Sequence, residues 1–272
     1  MGLVAHGMLT MSNKWRFMAA LLTKDNNQFY HSCGGSLISD SHVLTAAHCV
    51  VNASTGIQMN NSDIVVRLGQ YDLRVKGYDC KVNKIVIYPD YNNKTYANDL
   101  AVLHLNKNVD FQAQIEPIPM SMPGDRHEFE ISKLDNNEIA YIAGWGKTSP
   151  TGEFADELMD AELHIVDDWY CRHVFGKKYV DNNNDNRGTD RIVCASAPVA
   201  SLEMDEKRDA CKGDSGGPLI QYDLNSEQYY LTGVVSFGKR CATYGTPSVY
   251  TNVSYFAKWI TSVVDNHNNN NN

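Results

Sequence analysis

Six short runs of β-branched and aromatic residues set most of what this chain can fold into: "DIVVRLGQYDL", "KVNKIVIYP", "DLAVLHL", "NEIAYIAGWG", "YYLTGVVSFG" and "PSVYTNV". Each is bounded by Gly, Pro, Asn or Asp, as strands are. No helices alternate with them, so they point to a sandwich or barrel rather than a parallel sheet. One helix is expected, near the C-terminus. In "SYFAKWITSVVD", Ser254 is its expected cap, and Phe256, Trp259, Ile260 and Val263 fall on one face.

The stretch from Val109 to Glu130 carries three prolines and no strand pattern, and reads as a crossing between two halves. "YVDNNNDNRGTD" is a polar loop insertion, and the closing asparagines read as a disordered tail. The expected division is an N-terminal unit over 1–112, a C-terminal unit with the helix over 113–265, and the tail over 266–272.

With 272 residues the chain can bury a substantial core. A net charge of -8 argues against nucleic acid as a partner, which demands a basic face, and gives little attraction to anionic membrane. No apolar run approaches the roughly 20 residues that span a bilayer. Seven cysteines without CxxC clustering suggest an oxidising compartment and no structural zinc site. Acceptor triplets for N-glycosylation occur at Asn52, Asn60, Asn93 and Asn252. The opening "MGLVAHGMLT" has no basic n-region, apolar h-region or cleavage site. The expectation is a secreted protein whose leader is absent from this sequence.

The chemistry centres on "RDACKGDSGGPL", Arg208 to Leu219, where three glycines and a proline surround one hydroxyl, Ser215. "GDSGG" also satisfies the GxSxG elbow of α/β-hydrolases, in which the catalytic histidine follows the serine. Only His267 lies beyond Ser215, within the asparagine-rich end, so that order fails. The order His, Asp, Ser is met by His48 in "LTAAHC", Asp99 in "NDLAVLHL" and Ser215. "GWGKTS" lacks the leading glycine of a phosphate loop, and no GxGxxG follows a strand.

Taken with "CGGSLIS", "AGWG", "VVSFG" and "PSVYTNV", these motifs resemble those of the chymotrypsin/trypsin-fold serine peptidases, in that family's order, from about Val4 to Val264. The resemblance implies two six-stranded antiparallel β-barrels with the active site between them. It implies a secreted endopeptidase with His48, Asp99 and Ser215 as the catalytic triad, and Gly213 with Ser215 as the oxyanion hole. It also implies disulfides Cys33–Cys49, Cys171–Cys194 and Cys211–Cys241. Cys80 is left over, open to a bridge to a propeptide, a bridge to another chain, or life as a free thiol.

By the same resemblance Asp209, six residues before Ser215, is the floor of the specificity pocket, which implies cleavage after Arg or Lys. Ala210 beside it hints at Arg over Lys. Ser236, Phe237, Gly238, Ser248 and Tyr96 complete the substrate-binding set. Ser248 stands where such pockets carry glycine, so the slot is narrowed, and strict preference or slow turnover are both open. Maturation in the family inserts a new N-terminal amine against the aspartate before the nucleophile, here Asp214. The matching start is Val4, which Leu3 rather than Arg or Lys precedes. A zymogen-like, catalytically silent homologue that binds or regulates is the alternative this raises. The acids of the family's calcium loop are absent, with Gln70 and Cys80 near those positions, so neither metal nor cofactor is expected. The implied partners are protein or peptide substrates and proteinaceous inhibitors.

Overall fold

A computed structural model describes residues 8–11, 13–111, 114–123, 139–149, 151–176, 188–198, 209–238 and 246–268. The strands are β1 (Met8–Leu9), β2 (Met18–Asp25), β3 (Gln28–Leu37), β4 (His42–Thr45), β5 (Ile64–Leu68), β6 (Tyr78–Ile87) and β7 (Ala101–Leu105). They continue with β8 (Ile139–Gly144), β9 (Met159–Ile165), β10 (Ile192–Ser196), β11 (Pro218–Asp223), β12 (Gln228–Phe237) and β13 (Ser248–Asn252). Among the described residues the α-helices are α1 (Asp168–Phe175) and α2 (Val253–Asn268).

Six strands close the first barrel in the order β2-β3-β4-β7-β6-β5, with β5 returning to β2. The second closes as β8-β9-β10-β13-β12-β11, with β11 returning to β8. All pairs are antiparallel, and closure leaves neither ring an open edge. In β5 the alternation is plain: Ile64, Val66 and Leu68 point inward while Val65 and Arg67 are half-exposed. All of β7 is buried. The hairpin between β2 and β3 turns on Asn26 and Asn27, both at positive φ (47° and 64°), the pattern of a two-residue primed turn.

Both ends of the chain cross to the barrel they do not belong to by sequence. β1 pairs with β9 of the second barrel, Met8 opposite Asp160. The C-terminal α2 lies against β12 of its own barrel and also reaches the first, where the Tyr88 ring after β6 meets Phe256 at 4.9 Å and Trp259 at 5.1 Å. Between the barrels, Trp145 Nε1 donates to Tyr71 O (3.0 Å), and Trp15 Nε1 and Lys14 Nζ donate to Asp160 Oδ2 (2.8 and 2.6 Å).

Two expectations need correction. Asn252, not Ser254, caps α2: its Oδ1 accepts from Ser254 N (3.1 Å) and Ser254 Oγ (3.0 Å). The helix also runs through Asn268, into the segment expected as tail. The expected division at 112/113 falls outside the described residues, as does most of the asparagine insertion.

Candidate active site

His48 sits in a single 3-10 turn, Ala47–Cys49, directly after β4. The Cys33–Cys49 disulfide ties that turn to β3, closing a loop of a size worth about 3 kcal/mol in the chain-entropy picture. Asp99 enters just before β7 from a loop in which Tyr96 (φ 59°) and Asn98 (φ 56°) both adopt left-handed backbone. Such non-glycine residues cost about 1–3 kcal/mol each unless their surroundings hold them. Asn98 is held: Nδ2 donates to Asp90 O (2.9 Å) and Oδ1 accepts from Arg191 Nη1 (3.3 Å) of the second barrel.

Asp99 is 1% exposed and carries three donors. His48 Nδ1 lies 2.7 Å from Oδ2, His48 N donates to Oδ1 (2.9 Å), and Ser236 Oγ donates to Oδ2 (2.6 Å). Thr251 Oγ1 adds a bond to its carbonyl (2.9 Å). A carboxylate this deep is tolerated only when hydrogen-bonded. Burial pulls the His48 pKa down, but the Asp99 charge and the hydrogen bond to it more than reverse this, leaving it above the ordinary histidine value. Ser236, expected in the substrate-binding set, turns its hydroxyl to Asp99.

Ser215 is brought to the first barrel by its backbone. Gly34 N donates to Ser215 O (2.8 Å). Gly216, at φ +77°, presses so close that a Cβ would stand 2.2 Å from Thr45 Oγ1 and 3.1 Å from Ala46 N. The serine loop is therefore seated on the segment that leads into His48. His48 Nε2 lies 3.8 Å from Cys49 Sγ and makes no hydrogen bond to Ser215; contacts of this kind commonly tighten only when substrate binds. Gly213 has φ +102°, in the region that favours glycine.

Two further buried carboxylates flank the serine. Asp209 is 4% exposed, and its Oδ1 accepts from Ser248 Oγ (2.6 Å) and Ala210 N (2.8 Å). Ser248 Oγ stands 3.1 Å from where a Cβ on Gly238 would be, so it occupies the space between the Asp209 carboxylate and Gly238. Asp214 Oδ1 accepts from Gly146 N (2.8 Å) and Oδ2 from Cys211 N (2.9 Å). No cation pairs with it among the described residues, and burial raises its pKa to about 7 despite those two backbone donors. Val4, its expected partner, lies outside the described residues. The Tyr96 ring stands 5.3 Å from His48 and 5.9 Å from Phe237.

Two closed six-stranded barrels with a His–Asp pair and a serine loop at their junction agree with the comparison of sequences: the profile of the trypsin family matches residues 5–260. The chain belongs to the trypsin family. It is 34% identical to a proclotting enzyme of Tachypleus tridentatus over 90% of its length, spanning 62% of that protein. It is 32% identical to Trypsin-1 of Astacus astacus (85% of this chain, 87% of that one) and 33% identical to a venom protease of Bombus pensylvanicus (89% and 91%).

This trypsin-family chain forms Cys33–Cys49 and Cys171–Cys194 as the resemblance implied. Cys211 is disulfide-bonded too; its expected partner Cys241 lies outside the described residues. Cys80 is free and 1% exposed inside the first barrel. Asn52, Asn60 and Asn93 are exposed. Asn252 is 4% exposed with its amide donating to Asp190 O (2.8 Å), so the fold leaves no room for a glycan there. Among the described residues no helix is long and apolar enough to cross a membrane. Sequence reasoning missed the Ser236 and Thr251 bonds to Asp99 and the left-handed Tyr96 and Asn98, and no local motif signals them.

Proposed function

We propose that this chain is a secreted serine endopeptidase that hydrolyses peptide bonds after arginine or lysine. The observation that carries the reading is the buried His48–Asp99 pair, fastened by Ser236, with the Ser215 loop seated on the turn that holds the histidine.

In this mechanism Ser215 Oγ attacks the scissile carbonyl and its proton passes to His48 Nε2. Asp99 fixes the histidine tautomer through Nδ1 and stabilises the imidazolium. The carbonyl oxygen, now carrying the charge, is met by the N–H groups of Gly213 and Ser215, a donor set whose members are each worth about 2.7–4 kcal/mol. His48 returns the proton to the leaving amine, and water repeats the sequence on the acyl-enzyme. The Asp209 carboxylate receives the cationic side chain of the substrate, with Ala210 beside it and the Tyr96 and Phe237 rings against the preceding residues. Disulfides and exposed acceptor asparagines support secretion.

A second reading, a zymogen-like binding or regulatory protein, is favoured by one observation: the buried Asp214 carboxylate lacks a cationic partner among the described residues. Insertion of the Val4 amine against Asp214 would convert the second state into the first. The test is labelling with a fluorophosphonate probe before and after exposing the Val4 amine. Labelling of wild type and not of Ser215→Ala supports the peptidase. No labelling with a free Val4 amine supports the silent homologue. Turnover of Arg, Lys and Phe esters then tests Asp209, and fastest cleavage of Phe sinks that assignment.

A further inference from the structure

An oxyanion hole built on a glycine has a weakness. A residue without Cβ lets its flanking peptides rotate easily, yet the Gly213 N–H must already point at the developing charge, since preorganisation is what makes such donors effective. Something outside the serine loop has to hold it. The described structure contains two restraints on the Lys212–Gly213 peptide, and both come from the turn between β8 and β9.

The first is a hydrogen bond from Lys147 N to Lys212 O (2.8 Å). No peptide in the described chain is cis, and in a trans peptide the C=O and N–H point in opposite directions. Tying Lys212 O to Lys147 therefore turns the Gly213 N–H away from that turn. The second is the Phe154 ring. A Cβ on Gly213 would lie 2.7 Å from Phe154 Cε1 and 3.0 Å from Gly146 Cα, so the ring and that backbone together crowd the side of Gly213 where a side chain would stand. Phe154 is itself fixed by an antiparallel bridge to Lys147. The His31 ring meets it edge-on at 6.3 Å (84°), and Lys147 Nζ sits 5.6 Å over its face. Phe154 nevertheless remains 42% exposed, so core burial does not account for an aromatic ring at this spot.

We propose that Phe154 is a positioning residue that, together with the Lys147 N–H, locks the Lys212–Gly213 peptide in the orientation presenting Gly213 N–H to the oxyanion. The inference rests on the peptidase reading above. With the ring gone, the peptide is free to flip and carry its carbonyl into the hole, which removes one of the two donors for part of the time.

The experiment is steady-state kinetics on Arg amide substrates with wild type, Phe154→Ala, Phe154→Leu and Phe154→Tyr, each checked for an unchanged melting curve. Inhibition by a peptide boronate, whose tetrahedral adduct places an oxygen in the hole, is measured alongside. Full loss of one such donor costs about 10²–10³ in kcat, so partial loss in Phe154→Ala is expected to cost about tenfold in kcat. KM should stay within about twofold and boronate affinity should fall by the same factor as kcat. Phe154→Tyr, which keeps the ring, should restore both, with Phe154→Leu between. Unchanged kcat in Phe154→Ala, a loss confined to KM, or failure of Tyr to rescue would each overturn the role of Phe154 while leaving the peptidase standing. A wild type inert to substrate and boronate alike overturns the peptidase reading and this role with it.

Discussion

Asp99 and Asp214 are both 1% exposed, yet the chain treats them in opposite ways. Asp99 is surrounded by side chains from both barrels, and one of its three donors is an imidazole that can become a cation. Asp214 has only two backbone N–H groups and no described cation, and its pKa climbs to about 7. The first carboxylate sits where its charge is matched in the resting protein. The second is held as though awaiting a positive charge. A buried acid is costly to ionise unless its charge is matched, so the two carboxylates differ in how firmly they hold a proton.

The sharpest way to break the comparison is Asp99→Asn. It keeps the shape but reverses the hydrogen-bonding sense toward His48 Nδ1, so kcat should fall about 10⁴-fold with the fold intact. A loss below tenfold would show that the pair is structural.

The next effect is on stability. Below pH about 4 Asp214 is protonated folded or unfolded and contributes nothing. Between its ordinary value of 3.8 and about 7 the native state keeps a proton that the unfolded state has released, so stability falls as pH rises. The shift corresponds to a loss of about 4 kcal/mol, complete above pH 7. Asp214→Asn should flatten this slope in urea titrations run from pH 4 to 8. Parallel curves would mean that a cation already pairs with Asp214.

His31, beside Trp145 in the same region, has the opposite sign. Its ring nitrogens make no well-formed hydrogen bond, and burial lowers its pKa to about 4, countered only in part by a backbone contact at Cys33. Between pH 4 and 6.5 the unfolded chain holds the extra proton, so this contribution is full above 6.5 and is lost as pH falls to 4. His31→Phe should remove about 3 kcal/mol of the acid-induced loss, read from melting curves at pH 4 and 7. An unaltered acid limb would place the titration elsewhere.

Asp209 is a third buried carboxylate, and the Ser248 hydroxyl and the Ala210 N–H both donate to its Oδ1. Ser248→Gly leaves Oδ1 with the Ala210 N–H alone of these two donors and clears the slot, and kcat/KM for Arg substrates should rise about five- to tenfold, the scale of one such hydrogen bond. A fall would show that Ser248 supports the pocket rather than narrows it.

How much of this could be read from the sequence follows from chemistry and distance along the chain. The six β-branched runs are all strands, because alternating Ile, Val and Tyr have little alternative use. Neighbouring β2 and β3 escaped notice: "MAALLTKD" and "QFYHSCGGSL" are poor in β-branched residues, and their clearest signal is the Asn26–Asn27 turn. Helix α1 escaped for its brevity, although Asp167 accepts from Trp169 N at its start and Arg172 pairs with Asp168. His48, Asp99 and Ser215 were legible because each stands in a distinctive local motif. The bond from Ser236 to Asp99 and the settings of Phe154 and His31 were not, because those partners are chosen by how one barrel sits against the other, which no local pattern encodes.

The crossed ends of the chain have a mechanical consequence. Because β1 belongs to the second ring of strands and α2 leans on the first, each half is strapped to its neighbour by the other half's terminus. A protease nick in the connection between the halves would leave two pieces still clasped together, with the cleft they share intact.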